Sequence, residues 1–179
     1  MRRNSFASAA AALAVAAVLL VGLSAVLRPV ARRNGERERV EIMAALLPGS
    51  TAFVPEANLG EDGFITGAYK GEGGYVVETT TPGYVGDVVL LVGVSDQGNV
   101  TGVVVRDLEE TFGLGANALR DTAFLSQFLH TSGEAAVGET VDALTGATVT
   151  SKAIAKGVNA AVAFVTGADI SSGATEWEG

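Results

Sequence analysis

The chain has 179 residues, 48% of them hydrophobic, with no cysteine, one histidine and a formal net charge of −8. That length allows one domain and an appendage, and a domain of roughly 130 residues can bury an adequate core. The lack of cysteine excludes disulfides, iron–sulfur clusters, thiol nucleophiles and cysteine zinc sites, and a lone His130 argues against a histidine-rich metal site or a Ser-His-Asp triad.

The charge is unevenly divided. Residues 1–39 hold seven of the twelve basic residues and two of the twenty acids, so residues 40–179 are strongly acidic. An acidic domain repels nucleic acid, which is not expected as a partner. From Ser5 to Leu27 no residue is charged, with Arg2 and Arg3 before the segment and Arg28 after it. At about 1.5 Å per residue it is long enough to cross a hydrocarbon core of about 30 Å. A cleaved signal peptide is the alternative, but the apolar run exceeds the usual one and no clean A-x-A site precedes Arg28. The expected organisation is a membrane anchor with basic flank at 1–35, a stalk helix at 36–50, a folded domain at 51–167 and a tail at 168–179.

Glu36 to Leu47 has helical spacing, with Val40, Met43, Ala44 and Leu47 on one face and Pro48-Gly49 as the stop. Short strands are expected at Ala52–Pro55, Phe64–Lys70 and Gly74–Thr80, the last two separated by Gly71-Glu72-Gly73. Asp87–Val94 and Val100–Arg106 are β-branched runs on either side of the turn Asp96-Gln97-Gly98-Asn99, expected to pair antiparallel and form the sheet centre. A helix is expected over Asn117–His130, an extended or loop segment over Glu134–Asp142, and a last helix over Thr150–Thr166. The order of elements predicts an α+β fold, an antiparallel sheet with packed helices, preceded by one N-terminal transmembrane helix.

Three short elements stand out. Pro82-Gly83-Tyr84-Val85-Gly86 is a turn carrying an aromatic. Glu110-Thr111-Phe112-Gly113-Leu114-Gly115 is a glycine-punctuated loop. The third is Asp142-Ala143-Leu144-Thr145-Gly146-Ala147-Thr148-Val149-Thr150-Ser151, just ahead of the last helix. Gly146 lets the backbone approach a bulky phosphate. Thr148, Thr150 and Ser151 offer hydroxyls, and the helix start favours an anion. The plainer reading, which spacing by itself favours, is that these threonines only cap the helix.

Together and in this order the three elements resemble the FMN-binding domain of the RnfG and NqrC subunits of ion-pumping redox complexes. Gly83-Tyr84-Val85-Gly86 matches the family's G-Y-x-G turn, Glu110 to Gly115 its E-T-P-G-L-G loop, and Asp142 to Ser151 its D-x-x-[ST]-G-A-[ST]-x-[ST]-S segment. The resemblance covers roughly Gly71 to Val165. It implies that Thr148 carries FMN through a phosphoester, attached from FAD by a flavin transferase of the ApbE type with a divalent metal. Asp142, Thr145, Gly146 and Ala147 would be what that enzyme recognises, with Thr150 and Ser151 beside the phosphate. Tyr84, Glu110, Thr111, Gly113, Leu114 and Gly115 would serve the flavin. Phe112 replaces the family's proline, and Leu108 stands where a histidine is frequent. A second match, Asp169 to Thr175, lacks a following helix and precedes two glutamates, so Thr175 is not the expected acceptor.

The resemblance further implies an electron-relay subunit within a membrane redox complex, of the Rnf-type ferredoxin:NAD+ oxidoreductase. The alternatives are the C subunit of the Na+-translocating NADH:quinone reductase and a stand-alone anchored flavoprotein for extracellular electron transfer. Five arginines follow the apolar segment and two precede it, which by charge alone would keep the domain in the cytoplasm. The resemblance implies a single-pass cell-membrane protein with its FMN domain on the extracytoplasmic side. That orientation is expected here, because translocation of a whole domain is less sensitive to flanking charge.

Overall fold

The computed structural model describes residues 35–60, 63–108 and 121–168. The chain divides into two units, Met1–Arg39 and Val40–Gly179. Of the first only residues 35–39 are described, and they are helical. The apolar segment Ser5–Leu27 lies outside the described residues, among which no helix is long and apolar enough to cross a membrane.

Helix α1 covers 35–46. Five strands follow: β1 (Val54–Pro55), β2 (Ile65–Gly71), β3 (Gly74–Pro82), β4 (Asp87–Ser95) and β5 (Val100–Leu108). They form one sheet in chain order, each pairing antiparallel with the next. Helices α2 (Thr122–Ser126) and α3 (Thr148–Thr166) come last. The expected α+β architecture is thus observed.

The sheet is covered on both faces, which explains the unbroken Val88–Val92 run. Successive side chains point to opposite faces. Val88, Leu90, Val92 and Val94 join the cluster built on Ile154, Val158 and Val162 of α3. Leu91 joins Met43 and Leu46 of α1, and Leu47 just after it, on the other side. Each such fully buried aliphatic contributes about 1.5–3 kcal/mol. The closest approach of α1 to the sheet is at Gly93, where an added Cβ would lie 2.2 Å from Leu46 O. Thr101 Oγ1 secures the same carbonyl at 2.6 Å.

Three sequence expectations are corrected. The strand pair at the sheet centre is not β4 and β5: β3 is the middle strand and β5 an edge. Val76 and Val77 of β3 are both fully buried, on opposite faces. Thr81 faces inward as well, its hydroxyl donating to Ala153 O at 2.9 Å. Secondly, the helix expected over Asn117–His130 is reduced among the described residues to α2, five residues long. It ends because the chain is drawn onto the edge of β5: His130 N donates to Val100 O at 2.9 Å and Val100 N to Thr131 O at 3.0 Å. His130 adopts a φ of 66° in making that strap. Thirdly, α3 begins at Thr148, two residues before the expected start.

Candidate functional site

At the start of α3 none of the nearby hydroxyls serves as the N-cap. The N-cap residue is Ala147, which makes no side-chain cap hydrogen bond. The first-turn N–H groups, which helix geometry leaves without an internal partner, are therefore not taken by a side-chain cap. No acidic side chain lies in that turn either. Thr150 and Ser151 are buried. Ser151 Oγ accepts from Leu144 N at 3.0 Å and donates to Ala147 O at 2.9 Å. Thr148 is exposed, as is Thr145. Burial thus leaves Thr148 and Thr145 as the outward hydroxyls of the segment, and only Thr148 is in the helix. Lys152, one turn on, shares its face and is exposed.

The preceding loop is tightly folded. Ala147 N donates to Leu144 O at 3.0 Å, closing a turn over Thr145-Gly146. Gly146 sits at φ 74°, the left-handed value that a type II turn demands at its third position. Further back, Asp142 N donates to Gln127 Oε1 at 2.8 Å, and Gln127 Nε2 donates to Asp142 O at 3.5 Å. Between this loop and α2 lies a groove of about 600 Å³, lined by Asp121, Ala123, Phe124, Gln127, Asp142, Ala143, Leu144 and Thr145. Helix α2 is capped by Asp121, whose Oδ1 accepts from Phe124 N at 2.9 Å. Phe124 and Phe128 meet edge to face at 5.4 Å and anchor α2 in the core.

Tyr84 lies at the tip of the β3–β4 hairpin, 72% exposed, in a turn closed by Gly83 N to Gly86 O at 2.9 Å. The bond from Thr81 to Ala153 brings that hairpin to the same end of the sheet as the start of α3. Strand β5 also ends there, since Leu108 pairs with Val88. Glu110, Thr111, Phe112, Gly113, Leu114, Gly115 and Thr175 lie outside the described residues. Gln127, which the sequence assigned no role, is part of the site. No spacing rule reveals it, because its partner is 15 residues away in a loop.

The sequence model of the FMN-binding domain matches residues 83–163, from the Tyr84 hairpin to the last turn of α3. The G subunit of the ion-translocating oxidoreductase complex of Methanosarcina acetivorans is 33% identical over 143 residues, covering 72% of this chain and 76% of that one. This chain belongs to that family of G subunits. The G subunit of the proton-translocating ferredoxin:NAD(+) oxidoreductase complex of Clostridium ljungdahlii is 41% identical over 99 residues, 51% of this chain and 53% of that protein. Its counterpart in the Na(+)-translocating complex of Acetobacterium woodii is 36% identical over 98 residues, 50% and 47% of the two chains. The chain thus spans about half the length of these last two relatives.

The residues present suit FMN. A groove of about 600 Å³ falls within the ~300–1,000 Å³ usual for cofactor sites. It has an apolar wall in Phe124 and Leu144 and polar groups in Gln127 and Asp142. It adjoins the positive end of a 19-residue helix, where a phosphate is favoured. A second cavity of about 450 Å³, beside Tyr75, Phe164 and Gly167, lies at the other end of α3. There the helix dipole opposes an anion, and Glu56 in its wall adds to that.

Proposed function

We propose that this protein is the covalently flavinylated, electron-relaying subunit of a membrane-bound Rnf-type ferredoxin:NAD+ oxidoreductase, with FMN held on Thr148. One observation carries this: of the hydroxyls around the start of α3, Thr150 and Ser151 are turned into the core, whereas Thr148 stands exposed over an N-terminus without a side-chain cap. The G-subunit relatives favour the Rnf-type complex over a Na+-translocating NADH:quinone reductase.

In the attachment step the Thr148 hydroxyl attacks the phosphorus on the riboflavin side of FAD. The bond from that phosphorus to the bridging oxygen breaks, AMP leaves with the oxygen, and the hydroxyl proton passes to a base of an ApbE-type transferase using a divalent metal. Once bound, FMN supplies one- or two-electron chemistry. The chain supplies the rest. The first-turn N–H groups and Lys152 would hold the phosphate, while Phe124, Leu144 and Gln127 would line the seat beside it. A covalent link removes dissociation, so the carrier is never lost from the complex. Residues 1–35 anchor the domain in the bilayer, with FMN on the extracytoplasmic side.

Peptide mass spectrometry of the full chain co-expressed with the transferase tests the attachment. Thr148→Ala abolishes the FMN adduct, and Thr175→Ala leaves it unchanged. Wild-type protein that stays unmodified on the peptide containing Thr148 refutes the reading. For orientation, protease added to right-side-out vesicles digests the domain, and full protection refutes that part.

A further inference from the structure

Between α2 and α3 the stretch from Glu134 to Asp142 is held in an unusual way. Near its start, Asn159 of α3 reads both backbone groups of one residue: Ala135 N donates to Asn159 Oδ1 at 3.1 Å, and Asn159 Nδ2 donates to Ala135 O at 2.9 Å. At its end Gln127 does the same to Asp142, at 2.8 and 3.5 Å. Two side-chain amides thus take the place of strand pairing at the two ends of an irregular stretch. They leave its last residue oriented by its main chain rather than its side chain. The Asp142 carboxylate stays exposed. Four residues on, the Gly146 turn and the Ser151 hydroxyl fix the path to Thr148.

We infer that Gln127 is a positioning residue for modification of Thr148: by gripping the backbone of Asp142 it presents that carboxylate and the Thr148 hydroxyl to the flavin transferase in one fixed arrangement. This rests on the reading of Thr148 as flavin acceptor. Gln127 is half-buried in the wall of the groove, between Phe124 and the loop, so it acts before the flavin arrives. Without its bonds, Asp142 to Thr145 would sample several conformers, only one of which fits the enzyme. Loss of these bonds then corresponds to about a tenfold loss of the competent population.

The test uses the full chain in detergent with transferase, FAD and Mg2+, following flavin incorporation by in-gel fluorescence over a range of acceptor concentrations. Gln127→Met keeps the side-chain volume and loses both bonds. It lowers kcat/KM for incorporation about tenfold. Gln127→Glu keeps an acceptor for the Asp142 N–H and recovers most of that loss. Hydrogen exchange, which needs no flavin, gives the independent readout. In Gln127→Met the Asp142 amide loses protection, whereas the Ala135 amide on Asn159 keeps it, marking an intact fold. Incorporation in Gln127→Met within about twofold of wild type, or an Asp142 amide still protected, overturns the proposal. A wild-type chain that takes up no flavin overturns the reading of Thr148 itself, and this role with it.

Discussion

Replacing Ser151 by alanine separates a hydroxyl that binds phosphate from one that only builds the site. Its Oγ is fully buried and bridges Leu144 N and Ala147 O. Ala147 O keeps a second partner, Ser151 N at 2.9 Å, so its loss is small. The Leu144 N–H is left orphaned in a half-buried position, which costs about 1–2 kcal/mol, the lower part of the usual range. Alanine returns about 0.5 kcal/mol in helix propensity. The net loss is about 1 kcal/mol, equivalent to about 3–5 °C in thermal midpoint for a domain of this size. Circular dichroism melting of unflavinylated chains measures it, and in-gel fluorescence measures incorporation in parallel. The expected result is a lowered midpoint with a reduced but present adduct on Thr148. An unchanged midpoint together with complete loss of the adduct would refute the assignment, since the hydroxyl would then be serving the phosphate.

Two further changes test the local geometry. Gly146→Ala forces a Cβ into φ 74° and costs about 1–2 kcal/mol. Gly146→Asn, which tolerates that region better, recovers part of both stability and flavin uptake in the same two assays. Gly93→Ala drives a Cβ to 2.2 Å from Leu46 O, so α1 has to lift from the sheet. A loss of about 2–3 kcal/mol is expected, read as a lower urea midpoint, and a shift under about 0.5 kcal/mol would mean that α1 is not seated there.

Charge and periodicity along the chain were sufficient for much of this protein. Alternation, β-branched runs and glycine turns located β2 to β5 within a residue or two, because those signals are local. The segment Asp142 to Ser151 was equally visible, since its hydroxyls, its glycine and the following helix stand in a short, fixed order. Interactions between distant residues were not legible. The inward turn of the β3 threonines depends on Ala153, 72 residues from Thr81. The early end of α2 depends on Val100, which draws His130 out of helical geometry. Which hydroxyls near Thr148 face solvent depends on how α3 rolls onto the sheet, with Gly157 against Leu90 and Thr79. The sequence by itself determined which residue types stand at the site. The packing of α3 decided that Thr150 and Ser151 hold the loop while Thr148 remains available, because burial is a property of the assembled layers and not of any one segment.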